Sequence, residues 1–408
     1  MNRRFRLFTT FLTFTILITA CNVPAGNNGT PPSPNDQVAT VVASTLQALT
    51  PGTNNGETPE PETPTNGLLP HTFYFLGTDN AGLTQVFRLE RDGKTMKQVT
   101  SEPANVASYG VSPLDGTIAY VVNNQLLLVN ADGSDRRLLV DGGKLDENNP
   151  FLNVITNPVF SPNGQTLAYG YKGLNLYSLS AGTSSLVIED QVEESGGFPF
   201  PTELYRPERY SPDGTKLLIT LAYYEGASAA IYDPASKELV RLSGGEGALI
   251  CCDAMEWSAD GSSIYSANRT AGMFNSGLWK VDPNSGAVTT LFSSNYDTGS
   301  FLYAYEPYLA PDGQLYFFFA ESTSEFNSRT PLQLVRAAPD GVTGRTVLRP
   351  DTFELMNEAL WSPDASFVVV AFAPNPDTYQ GGRAEIVYLD GRPNVLLTAF
   401  AQQMKWGP

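Results

Sequence analysis

The sequence predicts an all-β fold, a seven-bladed β-propeller of four-stranded antiparallel blades, with six or eight blades as the alternatives. Three observations predict it. A turn motif recurs at near-constant spacing, β-rich runs follow each copy, and the two ends of the repeat region complement each other. Composition agrees. Only 16% of the 408 residues are charged, while Gly (36), Pro (30), Tyr (19) and Phe (22) are plentiful. That mixture suits short strands and turns better than long charged helices.

The repeat occupies residues 71–408. Its copies are Val111-Ser112-Pro113-Leu114-Asp115-Gly116, Phe160-Ser161-Pro162-Asn163-Gly164, Tyr210-Ser211-Pro212-Asp213-Gly214, Trp257-Ser258-Ala259-Asp260-Gly261, Leu309-Ala310-Pro311-Asp312-Gly313 and Trp361-Ser362-Pro363-Asp364-Ala365. Counted at the Pro position, the steps are 49, 50, 47, 52 and 52 residues. A fixed period near fifty is the signature of a repeat architecture. Each copy is turn chemistry. Pro presets φ, Asp or Asn bonds its own backbone, and Gly supplies a permissive φ. Strand-like runs follow, such as Thr117-Ile118-Ala119-Tyr120-Val121 and Phe367-Val368-Val369-Val370, and then a second run such as Gln125-Leu126-Leu127-Leu128-Val129. A second turn (Asp132-Gly133, Asp340-Gly341) and a last short run complete four strands per repeat. The chain enters this pattern at Thr72–Leu76 without an innermost strand and leaves it at Gln402–Trp406. The C-terminal run therefore supplies the missing strand, and six internal blades plus this shared one make seven. The motifs resemble the WD40-like (PD40) repeats of TolB-type propellers, over residues 71–408. The resemblance implies a β-propeller domain.

The N-terminus supplies an address. Arg3, Arg4 and Arg6 precede the mostly apolar run Leu7–Thr19. That run is shorter than the roughly 20 residues a membrane-spanning helix needs. It ends in Ile18-Thr19-Ala20-Cys21, which resembles the bacterial lipobox. The resemblance implies cleavage of the signal peptide 1–20 and lipidation of Cys21. The expected location is extracytoplasmic, anchored to the bacterial cell membrane by an N-terminal lipid. Residues 21–70 read as a disordered tether. Its stretch 22–70 holds nine Pro, eight Thr and seven Asn, with no aromatic, Lys or Arg, too little apolar surface to offset ordering. A short helix over 36–49 interrupts it, with Val38, Val41, Val42, Leu46 and Leu49 at helical spacing.

Charge and motif content exclude function classes. Lys+Arg 25 against Asp+Glu 42 gives −17, unsuited to gripping nucleic-acid phosphates. Loss of residues 1–20 removes three Arg and no acid, so the mature chain is more acidic still and the anionic membrane surface repels it beyond its anchor. The single histidine, His71, supplies no multi-histidine metal site, and a Ser-His-Asp centre would have to use it. No Gly-x-Ser-x-Gly elbow or calcium loop occurs. Gly93-Lys94-Thr95 is similar to the end of a phosphate loop, but Arg88 stands where the first Gly belongs. The repeated motif carboxylates read as turn formers. No metal, cofactor or catalytic residue is assigned.

Candidate site residues lie at the end of the blades opposite the Ser-Pro turns. The insertions Glu189–Glu203, Ser293–Tyr303, Glu321–Thr330 and Ala373–Arg383 gather there, and long loops carry function. They bring Phe198, Phe200, Tyr205, Arg206, Asp253, Tyr303, Tyr305, Glu306 and Glu354 towards one rim, aromatics and charges suited to sugars or peptide segments. Cys251-Cys252 precedes an innermost strand at the same end. The pair reads as a vicinal disulfide or as two free thiols. The expected function is a monomeric binding or scaffolding module that captures a protein or cell-surface polymer there and meets the membrane only through its lipid. The alternative is a polysaccharide-active hydrolase or lyase using carboxylates at the channel mouth, such as Glu306 and Glu354, which would stand roughly 5–5.5 or 6.5–9.5 Å apart.

Overall fold

The Ser-Pro turns are built as their sequence dictates. Ser211 Oγ donates to Asp213 Oδ1 (2.6 Å) and accepts from Lys216 N (3.0 Å), while Thr215 N donates to Asp213 Oδ1 (3.0 Å). Gly214, at φ +73°, closes the turn onto Ser211 O. Ser161, Ser258 and Ser362 repeat the arrangement with Asn163, Asp260 and Asp364. The serine and backbone donors hold Asp213 and Asp260 below the ordinary carboxylate range.

Each turn joins the first two strands of an antiparallel meander. The computed structural model describes residues 67–252, 255–325 and 329–408. The signal segment, Cys21, the 36–49 helix and Asp253 lie outside the described residues. Among those described, the one helical element is the 3-10 turn Pro150–Leu152, and no helix is long and apolar enough to cross a membrane. One meander is Ser108–Val111, Ile118–Val122, Gln125–Val129 and Arg137–Asp141. The next begins with Thr156–Phe160, and a further one is Phe198–Tyr210, Leu217–Tyr223, Gly226–Asp233 and Glu238–Arg241. Two more begin with Met255–Trp257 and Phe301–Leu309. The fold is a β-propeller of such sheets.

The last sheet has seven strands, because Val395–Trp406 pairs twice. Its first half lies against Gly382–Tyr388, with Ala401 opposite Gly382. Its second half lies against Phe73–Thr78, with Trp406 opposite Phe73 and Gln402 opposite Leu76. The two ends of the repeat region are tied there by Gly407 N to Thr72 O (2.8 Å), and Trp406 Nε1 also donates to Trp361 O (2.7 Å).

Packing explains the strand composition. Second strands such as Val368–Ala371 are fully buried because a neighbouring sheet covers each face, so they read as unbroken apolar runs. Core clusters span consecutive sheets. Ala119, Val121 and Leu128 meet Phe160, Leu167 and Tyr169, and Leu218 and Ile231 meet Trp257 and Ile264. Outer strands such as Thr183–Glu189 are largely exposed and polar. The packed unit begins earlier than residue 71. Leu69 is buried in the core of the last sheet, and its N–H bonds Arg91 O (2.9 Å).

Candidate functional site

Every first strand runs from the insertion end to a Ser-Pro turn, so first strands carry residues along the same axis. Five residues before the motif Pro position, Asn157, Glu306 and Gln403 each adopt positive φ (49°, 48° and 52°). A register shift accompanies each one. Such bulges re-aim side chains. Glu358 occupies the same offset beside a bulge of its own.

This device builds an acidic cluster. Burial, then the charges of Glu358 and Glu256, push Glu306 up to about 8, against Arg209 and the Ala359 N–H. Glu358 accepts the backbone N–H of Gln403 (2.8 Å) and that of Met404. Arg209 is ion-paired to Glu256. Towards the Ser-Pro turns the first strands surround a cavity of about 610 Å³. Arg209, Glu256 and Tyr308 line it, ringed by Pro113, Pro162, Pro212, Pro311 and Pro363. Two further wall residues, Tyr210 and Trp257, hold a buried Oη and Nε1 with no hydrogen-bond partner among the described residues.

The insertion end is chemically different. The segment 189–203 is no irregular loop: Gln191–Ser195 pairs with the start of Phe198–Tyr210. Phe198, near its tip, is 73% exposed. Phe200 packs on Tyr224 with ring centroids 4.5 Å apart. Tyr205 and Tyr303, expected at the rim, are instead packed in the interior, 2% and 0% exposed. They point into the seams between sheets, where large rings fill the space. Tyr205 Oη donates to Glu203 (2.5 Å), and Arg241 also holds that carboxylate. The arginine keeps Glu203 low, while burial, then Glu203, pushes Tyr205 up to about 12. Arg206 is equally interior. Its Nη1 reaches both oxygens of Asp190 (2.9 Å each), yet burial outweighs the guanidinium and raises the Asp190 pKa.

Tyr305 does reach the rim. The Arg269 guanidinium stacks over its ring at 4.3 Å, and its Oη donates to Asn357 O (3.0 Å). Arg329 donates to Asn357 Oδ1 (2.9 Å) and lies over the Tyr379 ring at 5.1 Å. Glu306 and Glu354 are not brought together as a pair. The carboxylates acting on Glu306 are Glu358 and Glu256, whereas Glu354 is exposed and acts on Arg329. Cys251 and Cys252 are joined by a disulfide with Cα atoms 3.7 Å apart, Cys251 buried and Cys252 at φ +62°. His71 is half-buried, its pKa lowered by burial and then by Arg91. Arg209, Glu256, Glu358, Arg269 and Arg329 were missed from sequence. The shared offset of Glu306 and Glu358 from the motif Pro would have revealed that pair. The two rim arginines carry no local signal.

No protein-family model and no curated protein sequence matches the chain. Solved structures share its architecture. A prolyl endopeptidase structure is 15% identical, with 91% of this chain and 56% of that one covered, at a TM-score of 0.54. This chain thus spans little more than half of that protein. TolB from Acinetobacter baumannii is 15% identical over 80% of this chain and 79% of its own, with a TM-score of 0.41. An oligogalacturonate lyase from Vibrio parahaemolyticus is 11% identical over 80% and 84%, with a TM-score of 0.49. At such identities, what the chain has in common with the endopeptidase is the fold of its sheets.

Proposed function

We propose that this protein is a lipid-anchored, extracytoplasmic binding module that captures a protein or polymer on the insertion end of a closed seven-bladed propeller. The observation that carries the reading is the placement of exposed rings. Phe198, Tyr223, Tyr224, Tyr296 and Tyr379, with Met273 at 92% exposure, all lie on segments at that end. The Ser-Pro end exposes no aromatic among the described residues of its first turns. Large apolar rings left in water on one face suit a binding surface.

Seven blades are supported by the double pairing of Val395–Trp406, which serves as the outer strand of one meander and the inner strand of the next. Core clusters also link Phe73 and Phe75 to Val369 and Ile386 on one side, and Tyr74 and Leu76 to Tyr109 and Tyr120 on the other. The anchor rests on Arg3, Arg4, Arg6 and the run ending at Cys21. The test is surface crosslinking of anchored protein, read by mass spectrometry. One partner recovered in near-equal amount supports a scaffold. Cys21→Ser should release the protein from membranes, and retention there would refute the lipid anchor.

A second reading, a polysaccharide hydrolase or lyase, draws on Glu306 rather than on the Glu306 and Glu354 pairing. A carboxyl held protonated near neutrality beside a second carboxyl that accepts two backbone N–H groups resembles an acid and base arrangement. Its test is activity on polysaccharide lost in Glu306→Gln and Glu358→Gln.

A further inference from the structure

Arginine is scarce in this acidic chain, and most of it is spent on carboxylates. Arg136, Arg206, Arg209, Arg241, Arg349 and Arg392 each form a salt bridge. Arg269 and Arg329 do not, among the described residues. Their guanidiniums nevertheless share an acceptor. Both Nη1 groups donate to Met356 O, so the two cations are neighbours. The remaining bonds of Arg329 go to neutral oxygens, at Asn357, Pro376 and Thr378. The Arg269 side chain makes no other hydrogen bond to the described residues, and its backbone carbonyl accepts from Thr330 Oγ1 (2.7 Å). Glu354 and Asp377 act on Arg329 through space only, outside salt-bridge range. Burial, then the charge of Arg269, lowers the Arg329 pKa. Two like charges held together with no salt-bridged counter-ion among the described residues are electrostatically costly, and an anion between them relieves that cost.

The pair is also held rigidly. Stacking on Tyr305 fixes Arg269, and three backbone or amide acceptors fix Arg329. A guanidinium whose plane is already set loses little freedom on gripping a carboxylate fork. Open rings flank the cations. Tyr379 is 65% exposed beside Arg329, and Tyr296, 42% exposed, accepts the Gly272 N–H (3.0 Å) on the loop that follows Arg269. Flat aromatic faces beside a cation match the C–H face and carboxylate of an acidic sugar ring. An acidic peptide presents the carboxylate without the flat ring.

We propose that Arg269 and Arg329 form an anion site at the insertion end that takes the carboxylates of a uronic-acid glycan, an inference that rests on that end being the capture surface. The experiment titrates the full-length protein calorimetrically at low salt with a polyuronate, its neutral methyl ester and poly-glutamate. The polyuronate should bind, with the ester about tenfold weaker or more, as removing one charged hydrogen-bond partner predicts. Arg269→Gln should lose affinity about tenfold with melting unchanged, and Arg269→Lys should recover part of the loss. Arg269 is the chosen position because its side chain makes one hydrogen bond and one ring contact, fewer ties than Arg329 has. Equal binding of the ester, or affinity indifferent to Arg269→Gln, overturns the site. Equal or tighter binding of poly-glutamate overturns the glycan assignment in favour of an acidic peptide. A partner captured through Phe198 and Tyr224 without polyuronate binding overturns this inference and leaves the binding-module reading standing.

Discussion

The two ends of the blades obey different rules. At the Ser-Pro end the same few atoms recur. In the copies at Ser161, Ser211 and Ser258, a serine hydroxyl, an Asp or Asn side chain and a glycine at positive φ close the turn in 2.6–3.0 Å bonds. The prolines of the motif turns crowd together around one cavity. At the insertion end no two connections are alike. One is a paired hairpin, one carries adjacent cysteines, and two carry arginines that reach across to neighbouring strands. Repetition at one end fixes the spacing of the sheets. Variation at the other leaves room for the capture surface proposed above. The lesson is that the repeated carboxylates, which look most like a site, are the structural ones.

The largest effect expected from breaking this division lies in the frame. Deleting residues 402–408 removes the half-strand that pairs with Phe73–Thr78 and the Trp406 ring that packs on Phe73 and Phe367. Trp406 is half-buried, so its loss costs part of the about 3–5 kcal/mol of a fully buried Trp, and the open edge adds to it. Thermal unfolding should therefore shift by more than any substitution at the insertion end. An unchanged melting temperature would refute ring closure by the C-terminal strand.

The second effect lies where the two ends meet. Glu306 carries a folded-state pKa near 8 against an ordinary 4.5. Between those values the native chain holds a proton that the unfolded chain has released, so stability falls as pH rises through that window. Glu306→Gln removes the titration. The variant should match the parent near pH 5 and exceed it by about 2 kcal/mol at pH 8–9, half the full linkage because the side chain is only partly screened from water. Denaturant midpoints across pH measure it. A parent profile no steeper than that of the variant would show that Glu306 titrates normally.

Much of the frame was legible in the sequence because turn chemistry is local. Pro, Asp and Gly sit within five residues of one another, and Trp406-Gly407-Pro408 echoes the motif closely enough to mark its strand. The site was less legible, for a physical reason. Tyr205, Tyr303 and Tyr305 all fall on first strands, and only the facing sheet decides which ring is interior and which meets Arg269. Glu306 and Glu358 are 52 residues apart and become neighbours only when consecutive sheets pack. The meeting of Arg269 with Arg329 at one carbonyl depends on two loops and a third strand, which no periodicity encodes.

The smallest expected effect on stability discriminates best between the ends. Phe198 is 73% exposed and has no ring partner among the described residues, so Phe198→Ala should change unfolding by less than about 0.5 kcal/mol. Phe200, two residues on, stacks on Tyr224, and Phe200→Ala should cost about 1 kcal/mol through that lost contact. If the insertion end is a capture surface, the order reverses for binding. The exposed ring, which contributes nothing to the fold, should then contribute more to capture than its stacked neighbour, because water leaves it only when a partner arrives. Crosslinking yield against melting temperature for the two variants separates the cases. Equal losses of capture and stability in both would make the hairpin a structural element, and the aromatic asymmetry between the ends would lose its functional meaning.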